Sequence, residues 1–507
     1  MKHVALALAL IAFTGCASMA PPTTRFKILQ INDVYKIEGL ENGQSGGMAR
    51  VRTLRKQLES DGTAVLVLHA GDLLFPSVMS KYLEARQMTD VMNLLDGDEE
   101  AFDPALIVTP GNHELDAKDP DILLRRVQES QFPWVSTNTV RCNPVCDQRF
   151  AGMQETILRD VDGTRIGIIG LLYPLKKSYA QSTDVKAAAR AAAENLRSQG
   201  ARVVIALTHE DMGEDEALVK EVPGIDIVVG GHDHLFMQSR INGTWITKAD
   251  ADAKSVIVWD VTVPRTGAVR TAPLRVVLDS TIAKDAAVDA RVQQWMQTLE
   301  EKLGGNETIG ITKNLLEGVE PAVRGRETAL GNLLTDIMRE QMQTDIGLLN
   351  GGSIRINDNI PPGPITRYDM EGIFYYTNAL VAFPLTGQQL LDVLRNGVSR
   401  ADAGDGRFLQ VSGIRFAYRA ANGTFTVDPA DVEVGGKPLD LSAIYTVASI
   451  DYMYLNGADD GYTLFSDATR PASINRSLEA DFRKTVENAI RTRGTVDVDI
   501  EGRIVRK

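Results

Sequence analysis

Positive charge is in short supply in this chain: 54 lysines and arginines face 67 acidic residues, for a net charge of -13. That deficit argues against a sequence-independent binder of nucleic-acid polymers, which needs a cationic surplus to displace counterions from phosphates. A small phosphate ester held by metals is not excluded. Cysteine is scarcer still, with three in 507 residues. Cys142 and Cys146 stand in the loop-like stretch Arg141-Cys142-Asn143-Pro144-Val145-Cys146-Asp147, with no further ligands nearby to complete a zinc knuckle. In an oxidising compartment they read as a local disulfide. Internal repeats, low-complexity tracts and any later run long enough to span a bilayer are missing too. Apolar and charged fractions are ordinary, which speaks against a disordered chain or a membrane-embedded body. Histidine is limited to six residues, and four of them cluster at the ends of apolar runs.

The chain begins with Lys2 and the apolar segment Val4 to Phe13. That segment is too short to span a bilayer and reads as a signal peptide. Phe13-Thr14-Gly15-Cys16-Ala17-Ser18 resembles a bacterial lipobox with Cys16 as the lipid-bearing residue, although Phe13 stands where Leu is usual. The plain alternative is a cleaved signal ending at Ala17 or Ala20. The expectation is an exported protein, periplasmic or held at the outer membrane of a bacterium through a lipid anchor alone. Residues 1–15 are then the leader and 16–25 a linker.

A chain of 507 residues is too long for one ordinary core, so two domains are expected. Residues 26–277 alternate apolar runs with helical patterns, as βα units require. Helices are expected at Val51 to Leu58, Tyr82 to Leu95, Ile122 to Glu129 and Lys186 to Arg197. Asp285 to Leu303 places Val288, Val292, Trp295, Met296, Leu299 and Leu303 at helical spacing and stops at Gly304-Gly305. It reads as the helix joining two domains. From Glu307 the composition shifts to helix, strand and frequent turn signals. The expected division is a first domain over 26–280, a joining helix over 281–305 and a second domain over 306–507.

Polar residues gather where the apolar runs of the first domain end. Asp33 follows Phe26 to Ile31, Asp72 follows Ala64 to Leu68, and Asn112-His113-Glu114-Leu115-Asp116 follows Ala105 to Val108. His209 follows Val203 to Leu207, and His232 and His234 follow Ile225 to Val229. In an α/β sheet such groups sit in the crevice outside the strand carboxyl ends. A single strand-end Asp or His is most simply a turn former or a cap. Five ends that converge carboxylate, amide and imidazole groups describe a metal site, and His113, His209, His232 and His234 all fall within it.

In that order, Asn32-Asp33, Gly71-Asp72, Gly111-Asn112-His113-Glu114, Thr208-His209 and Gly230-Gly231-His232-Asp233-His234 resemble the binuclear metallophosphatase signature. In the second half, Arg324 to Asn332, Leu348 to Arg355 and Gly406 to Gly413 resemble the C-terminal domain of the 5′-nucleotidases. The resemblance implies an α/β (α+β) protein: a four-layer α/β/β/α metallophosphatase sandwich, a joining helix and a mixed α/β substrate-binding domain. It also implies two divalent metal ions, with Zn, Mn, Mg, Co and Ca not distinguished. One would take Asp33, Asp72 and His234, the other Asp72, Asn112, His209 and His232. A metal-bridging water would attack phosphorus, with His113 stabilising developing charge and Asp116 orienting it. The family usually carries Asp-x-His at the first motif, whereas this chain reads Asp33-Val34-Tyr35, and a phenol is a poor ligand for the usual divalent ions near neutral pH.

On the substrate side, the resemblance assigns Arg324, Asn350 and Arg355 to phosphate or ribose, with Arg326 able to exchange roles with Arg324. Tyr376 and Tyr454 become a clamp on the base, beside Asp460. The implied function is hydrolysis of nucleotide phosphomonoesters, extending to the pyrophosphate of nucleotide sugars. Its rivals are a 2′,3′-cyclic-nucleotide phosphodiesterase with 3′-nucleotidase activity, a thiosulfohydrolase, and a non-catalytic nucleotide-binding lipoprotein.

Overall fold

The computed structural model describes residues 23–117, 119–143, 145–474 and 481–507. The expected leader, Cys16 and most of the linker lie outside them. Among the described residues no helix is long and apolar enough to cross a membrane.

Two sheets lie back to back in the first half. One has seven strands, in the order Arg270–Val277, Ser255–Val263, Thr24–Ile31, Ala64–His69, Leu106–Val108, Trp134–Val135 and Met153–Gln154. The other has six: Met237–Ile241, Thr244–Lys248, Ile227–Gly230, Val203–His209, Thr164–Leu172 and Thr156–Val161. Successive strand residues point to opposite faces, and both faces here are apolar because both are covered. Phe26, Ile28, Leu66 and Leu68 meet Ile166, Ile168, Ile205 and Leu207 between the sheets. Leu29, Ile31, Val65 and Val67 turn outward, onto helices such as Met48–Glu59 and Arg86–Asn93. Ile169, Leu171, Val204 and Ala206 do the same beneath Val185–Ser198. The result is the expected four layers.

The inner strands run parallel, with Phe26 opposite Ala64, Val67 opposite Leu106, and Ile205 opposite both Ile168 and Ile227. They therefore deliver their carboxyl ends, and the loops carrying Asp33, Asp72, Asn112, His209 and His232, to one edge of the sandwich.

The single helix expected over Tyr82 to Leu95 is instead two, Val78–Leu83 and Arg86–Asn93. Glu84 and Ala85 between them adopt φ of 54° and 57°, which redirects the chain without the Gly or Pro that would have marked a break. Helix Ala286–Leu303 starts where the Asp285 carboxylate accepts from the backbone N–H groups of Ala287 and Val288, and ends on Gly304 at φ 73°. Val288, Val292 and Leu299 bury it in the first core, so it rides on that domain before the chain passes on.

The second half has its own core, from Ile309 to Ile504. A four-stranded sheet, in the order Leu380–Thr386, Ile444–Ile450, Ile346–Asn350 and Leu409–Ser412, packs against helices Ala329–Met342 and Gly387–Val398. The halves meet through Lys36 and Asp358 at 3.0 Å and through Tyr368 Oη, which donates to Glu38 at 2.6 Å.

Candidate active site

The strand-end loops are held in costly backbone shapes. Asp33 and Asp72 have φ of 52° and 55°, and His232 and His234 have φ of 83° and 61°. Left-handed geometry at residues such as His costs on the order of 1–3 kcal/mol each and persists where surrounding structure enforces it. Gly111 is one such constraint, because a Cβ there would collide with Asp72 Oδ1 and the Asp72 backbone nitrogen.

Asp33, Asp72 and His209 bring ligand atoms within 4.8 Å of one another. His209 Nε2 lies 3.2 Å from Asp72 Oδ2 and 3.1 Å from Asn112 Oδ1. Its other nitrogen, Nδ1, donates to the Ala70 carbonyl at 2.8 Å, which turns Nε2 toward the cluster. His234 is arranged alike, with Nδ1 donating to Glu320 at 2.7 Å and Nε2 3.4 Å from Asp33 Oδ1. The His232 ring stands 5.1 Å from that of His209. Burial, with His209 adding to it, pushes its pKa down to about 4, leaving a neutral ring with a lone pair. At His209 burial disfavours charge, but Asp72 and Asp33 outweigh it and raise the pKa to about 9. The carboxylates thus call for positive charge at this point, and buried oxygen and imidazole donors with fixed outer hydrogen bonds suit a divalent cation.

His113 stands beside this cluster. Its backbone N–H donates to Asp72 Oδ1 at 2.9 Å, its Nδ1 donates to Asp116 at 2.5 Å, and its Nε2 is 3.9 Å from Asp72 Oδ2. Lys177 holds the other Asp116 oxygen at 2.7 Å. Ring, carboxylate and ammonium form a line leading out from the buried carboxylates.

Across the domain boundary is a cleft of about 600 Å³, lined by Arg324, Asn350, Arg355, Tyr376, Tyr452 and Asp460. Glu320 ties it to the strand ends. Besides accepting from His234, this carboxylate pairs with Arg324 and lies 3.4 Å from Arg355 Nη1. Arg326 does not share the cleft, because it faces outward in a two-bond pair with Glu317 at 2.8 and 2.6 Å. Tyr454 is a correction as well. It is 8% exposed, its ring stacks on Phe383 at 5.3 Å, and its hydroxyl donates to the Pro471 carbonyl at 2.7 Å. It belongs to the core, while Tyr452, 39% exposed, faces the cleft with Tyr376, 50% exposed.

Residues 26–236 match the calcineurin-like phosphoesterase family, and residues 308–467 match the C-terminal domain of 5′-nucleotidases. The chain belongs to the 5′-nucleotidase family. Its metallophosphatase domain makes it a phosphoric monoester hydrolase. A snake venom 5′-nucleotidase of Naja atra is 26% identical over 94% of this chain and 98% of its own length. The structure of a 5′-nucleotidase precursor from Thermus thermophilus superposes with a TM-score of 0.77 at 26% identity, covering 95% of this chain and 99% of that one. The sulfate thiohydrolase SoxB, also from Thermus thermophilus, shares the fold alone, with a TM-score of 0.71 at 18% identity over 96% and 97% of the two chains.

Several residues of this 5′-nucleotidase-family enzyme escape a reading of its motifs. Glu114, fully buried, accepts from the backbone N–H groups of Asp72, Leu73, Leu74 and Gly111 at 2.5–2.9 Å and so fastens two ligand loops together. Burial, reinforced by Asp72, raises its carboxyl to about 7. Lys248, also buried, reaches Asp215 at 3.1 Å and Asp233 at 2.5 Å, and donates to the Gly231 carbonyl at 2.9 Å. It pins the loop between His232 and His234. Glu114 stands within the Gly111-Asn112-His113-Glu114 motif, which does not reveal the loops its carboxylate joins, and no short-range pattern marks Lys248. Cys142 and Cys146 are joined in a disulfide.

Proposed function

We propose that this enzyme releases phosphate from nucleoside 5′-monophosphates with the help of two divalent cations. The observation that supports this reading is the continuity from strand-end donors to the second-domain cleft: His234 to Glu320, Glu320 to Arg324 and Arg355, and Arg355 to the Tyr376 ring at 5.9 Å. Asp33, Asp72 and His234 would hold one cation, and Asp72, Asn112, His209 and His232 the other. When bound, such cations would polarise the phosphoryl group and lower the pKa of nearby water. His113, its ring fixed by Asp116, stabilises charge that develops on the phosphoryl or leaving oxygen. Arg324 and Arg355 offer planar, multiple donors to phosphate or ribose oxygens, and Asn350 and Asp460 add polar contacts. Tyr376 and Tyr452 present ring faces to the base, which a thiosulfohydrolase would not need. The paired His113 and Asp116 speak for catalysis over mere binding.

The leader pattern supports export with Cys16 as the lipid anchor, and the Cys142–Cys146 disulfide suits an oxidising compartment. The test of function is phosphate release from nucleoside 5′-monophosphates, 3′-monophosphates, 2′,3′-cyclic nucleotides, nucleotide sugars and an aryl phosphate. The highest kcat/KM is expected on 5′-monophosphates. A preference for cyclic or 3′ substrates would overturn the assignment.

A further inference from the structure

Besides the strand ends that supply the ligand cluster, one more opens onto it. Strand Thr164–Leu172 runs parallel to Val203–His209, with Leu172 opposite His209, so the loop that follows leaves the sandwich at the same edge. Its first residue, Tyr173, donates its backbone N–H to the His209 carbonyl at 3.2 Å. Residues 173–179 contain no histidine, cysteine or acid that could ligate a metal, yet the loop is tightly made. The Ser182 N–H donates to the Leu175 carbonyl at 2.9 Å, the Ser182 hydroxyl donates to the Tyr173 carbonyl at 2.6 Å, and the Lys177 N–H donates to the Ala180 carbonyl at 2.8 Å. Ala180–Ser182 then pairs with Thr139–Cys142, the strand closed by the Cys142–Cys146 disulfide, and the Cys142 N–H donates to the Tyr179 carbonyl at 2.7 Å. These bonds fix the turn from which Lys177 projects.

The Lys177 ammonium donates to Asp116 Oδ1 at 2.7 Å, while Oδ2 of the same carboxylate accepts from His113 Nδ1 at 2.5 Å. A carboxylate held at one oxygen can still turn about its Cβ–Cγ bond. Held at both, its plane is set, and with it the direction of the imidazole it bonds. The side chains of Lys177 and Asp116 are 35% and 30% exposed, and an ion pair so open to water adds little to stability. What it can govern is orientation. We propose that Lys177 is a positioning residue for phosphate release: by fixing Asp116 it keeps the His113 ring turned with Nε2 toward the Asp72 cluster, and it does so without touching the substrate. This rests on the proposed hydrolysis of nucleotides and adds a residue from a loop that supplies no ligand.

The experiment measures kcat and KM on a nucleoside 5′-monophosphate, with divalent metal present, beside thermal midpoints. Lys177→Met keeps the unbranched stem and removes the charge. Its kcat is expected to fall roughly 5- to 20-fold, a share of the 10²–10⁴-fold that a positioned acid–base group supplies. KM should stay within about 2-fold, because the effect is confined to the transition state, and the midpoint should not move. Lys177→Arg returns a cation within reach of Asp116 and should recover most of the loss. In an Asp116→Asn background, Lys177→Met should change kcat by less than about 2-fold, because the group it acts through is already altered. Lys176→Met is the control: it removes an exposed charge from the same turn and should leave both constants near parental. An unchanged kcat in Lys177→Met, a raised KM with kcat kept, an equal loss in Lys176→Met, a fallen midpoint without rescue by arginine, or an undiminished effect beside Asp116→Asn would each overturn the proposal. All of these leave parental hydrolysis standing, whereas a parent that releases no phosphate from any nucleotide would sink both readings.

Discussion

Glu320 of the second domain accepts a hydrogen bond from His234 Nδ1 at 2.7 Å, so a carboxylate of one domain orients an imidazole at the strand ends of the other. Burial alone would push the Glu320 carboxyl up, but Arg324 and His234 outweigh it and hold it well below its usual range. Glu320→Gln keeps the shape and removes the charge. Metal affinity should fall about 10–100-fold, with activity recovered at high metal concentration. A metal titration followed by calorimetry checks this, and an unchanged affinity would show that His234 needs no such support.

Asp72→Asn and His113→Ala should both leave a folded enzyme with much reduced turnover, for separable reasons. The first removes a shared anionic ligand and lowers metal content. The second keeps the metals and loses charge stabilisation worth about 10²–10⁴-fold. Metal analysis beside kcat distinguishes them, and near-parental turnover in His113→Ala would take that residue out of the mechanism.

Tyr376→Ala and Tyr452→Ala should raise KM for nucleotides and leave an aryl phosphate nearly unaffected, since stacking contributes about 1–3 kcal/mol per base and is made alike before and during reaction. Tyr454→Ala should act on stability, at about 3 kcal/mol for an emptied aromatic site. Kinetics on both substrates with denaturant melts check the pair. A selective KM effect in a folded Tyr454 variant, and none at Tyr452, would reverse the assignment.

His69 is buried, and among the described residues neither of its ring nitrogens has a hydrogen-bond partner. Burial pushes its pKa down to about 4, so in the folded chain the ring stays neutral while the unfolded chain takes up a proton below about 6.5. The unfolded state then binds more protons, and stability falls as pH drops from about 6.5 toward 4, by as much as about 3 kcal/mol from this group. With chelator present, denaturant melts between those limits should show a pH slope for His69→Leu that is shallower than the parental one. Equal slopes would mean that His69 is not what makes the fold acid-sensitive.

The four-layer sandwich and the strand-end cluster were legible because parallel strands carry unbroken apolar runs, and the residue that ends each run is fixed by the run itself. Asp33, Asp72, Asn112, His209, His232 and His234 all fall at such ends. What escaped depends on facing and on distant partners. Tyr452 and Tyr454 lie two apart on helix Asp451–Asn456, and two helical steps turn about 200°, so only one of them can face the cleft; motif position selects a residue, not a face. The break at Glu84 and Ala85 follows from packing two short helices, with no residue type to announce it. Glu114, Lys248 and Glu320 each also hold a group far away in sequence, Asp72 at 42 residues, Gly231 at 17 and His234 at 86, and those partners are beyond any local pattern.

Hydrolysis of a nucleotide seated on the second domain would depend on cations held by Asp33, Asp72, Asn112, His209, His232 and His234. Its most direct test is phosphate release from a nucleoside 5′-monophosphate by one preparation, measured as purified, after complete chelation, and after return of divalent metal. Activity is expected to disappear with the metals and to return with them. Full nucleotide hydrolysis by metal-free protein, or no phosphate release from any nucleotide by the metal-loaded enzyme, would contradict it.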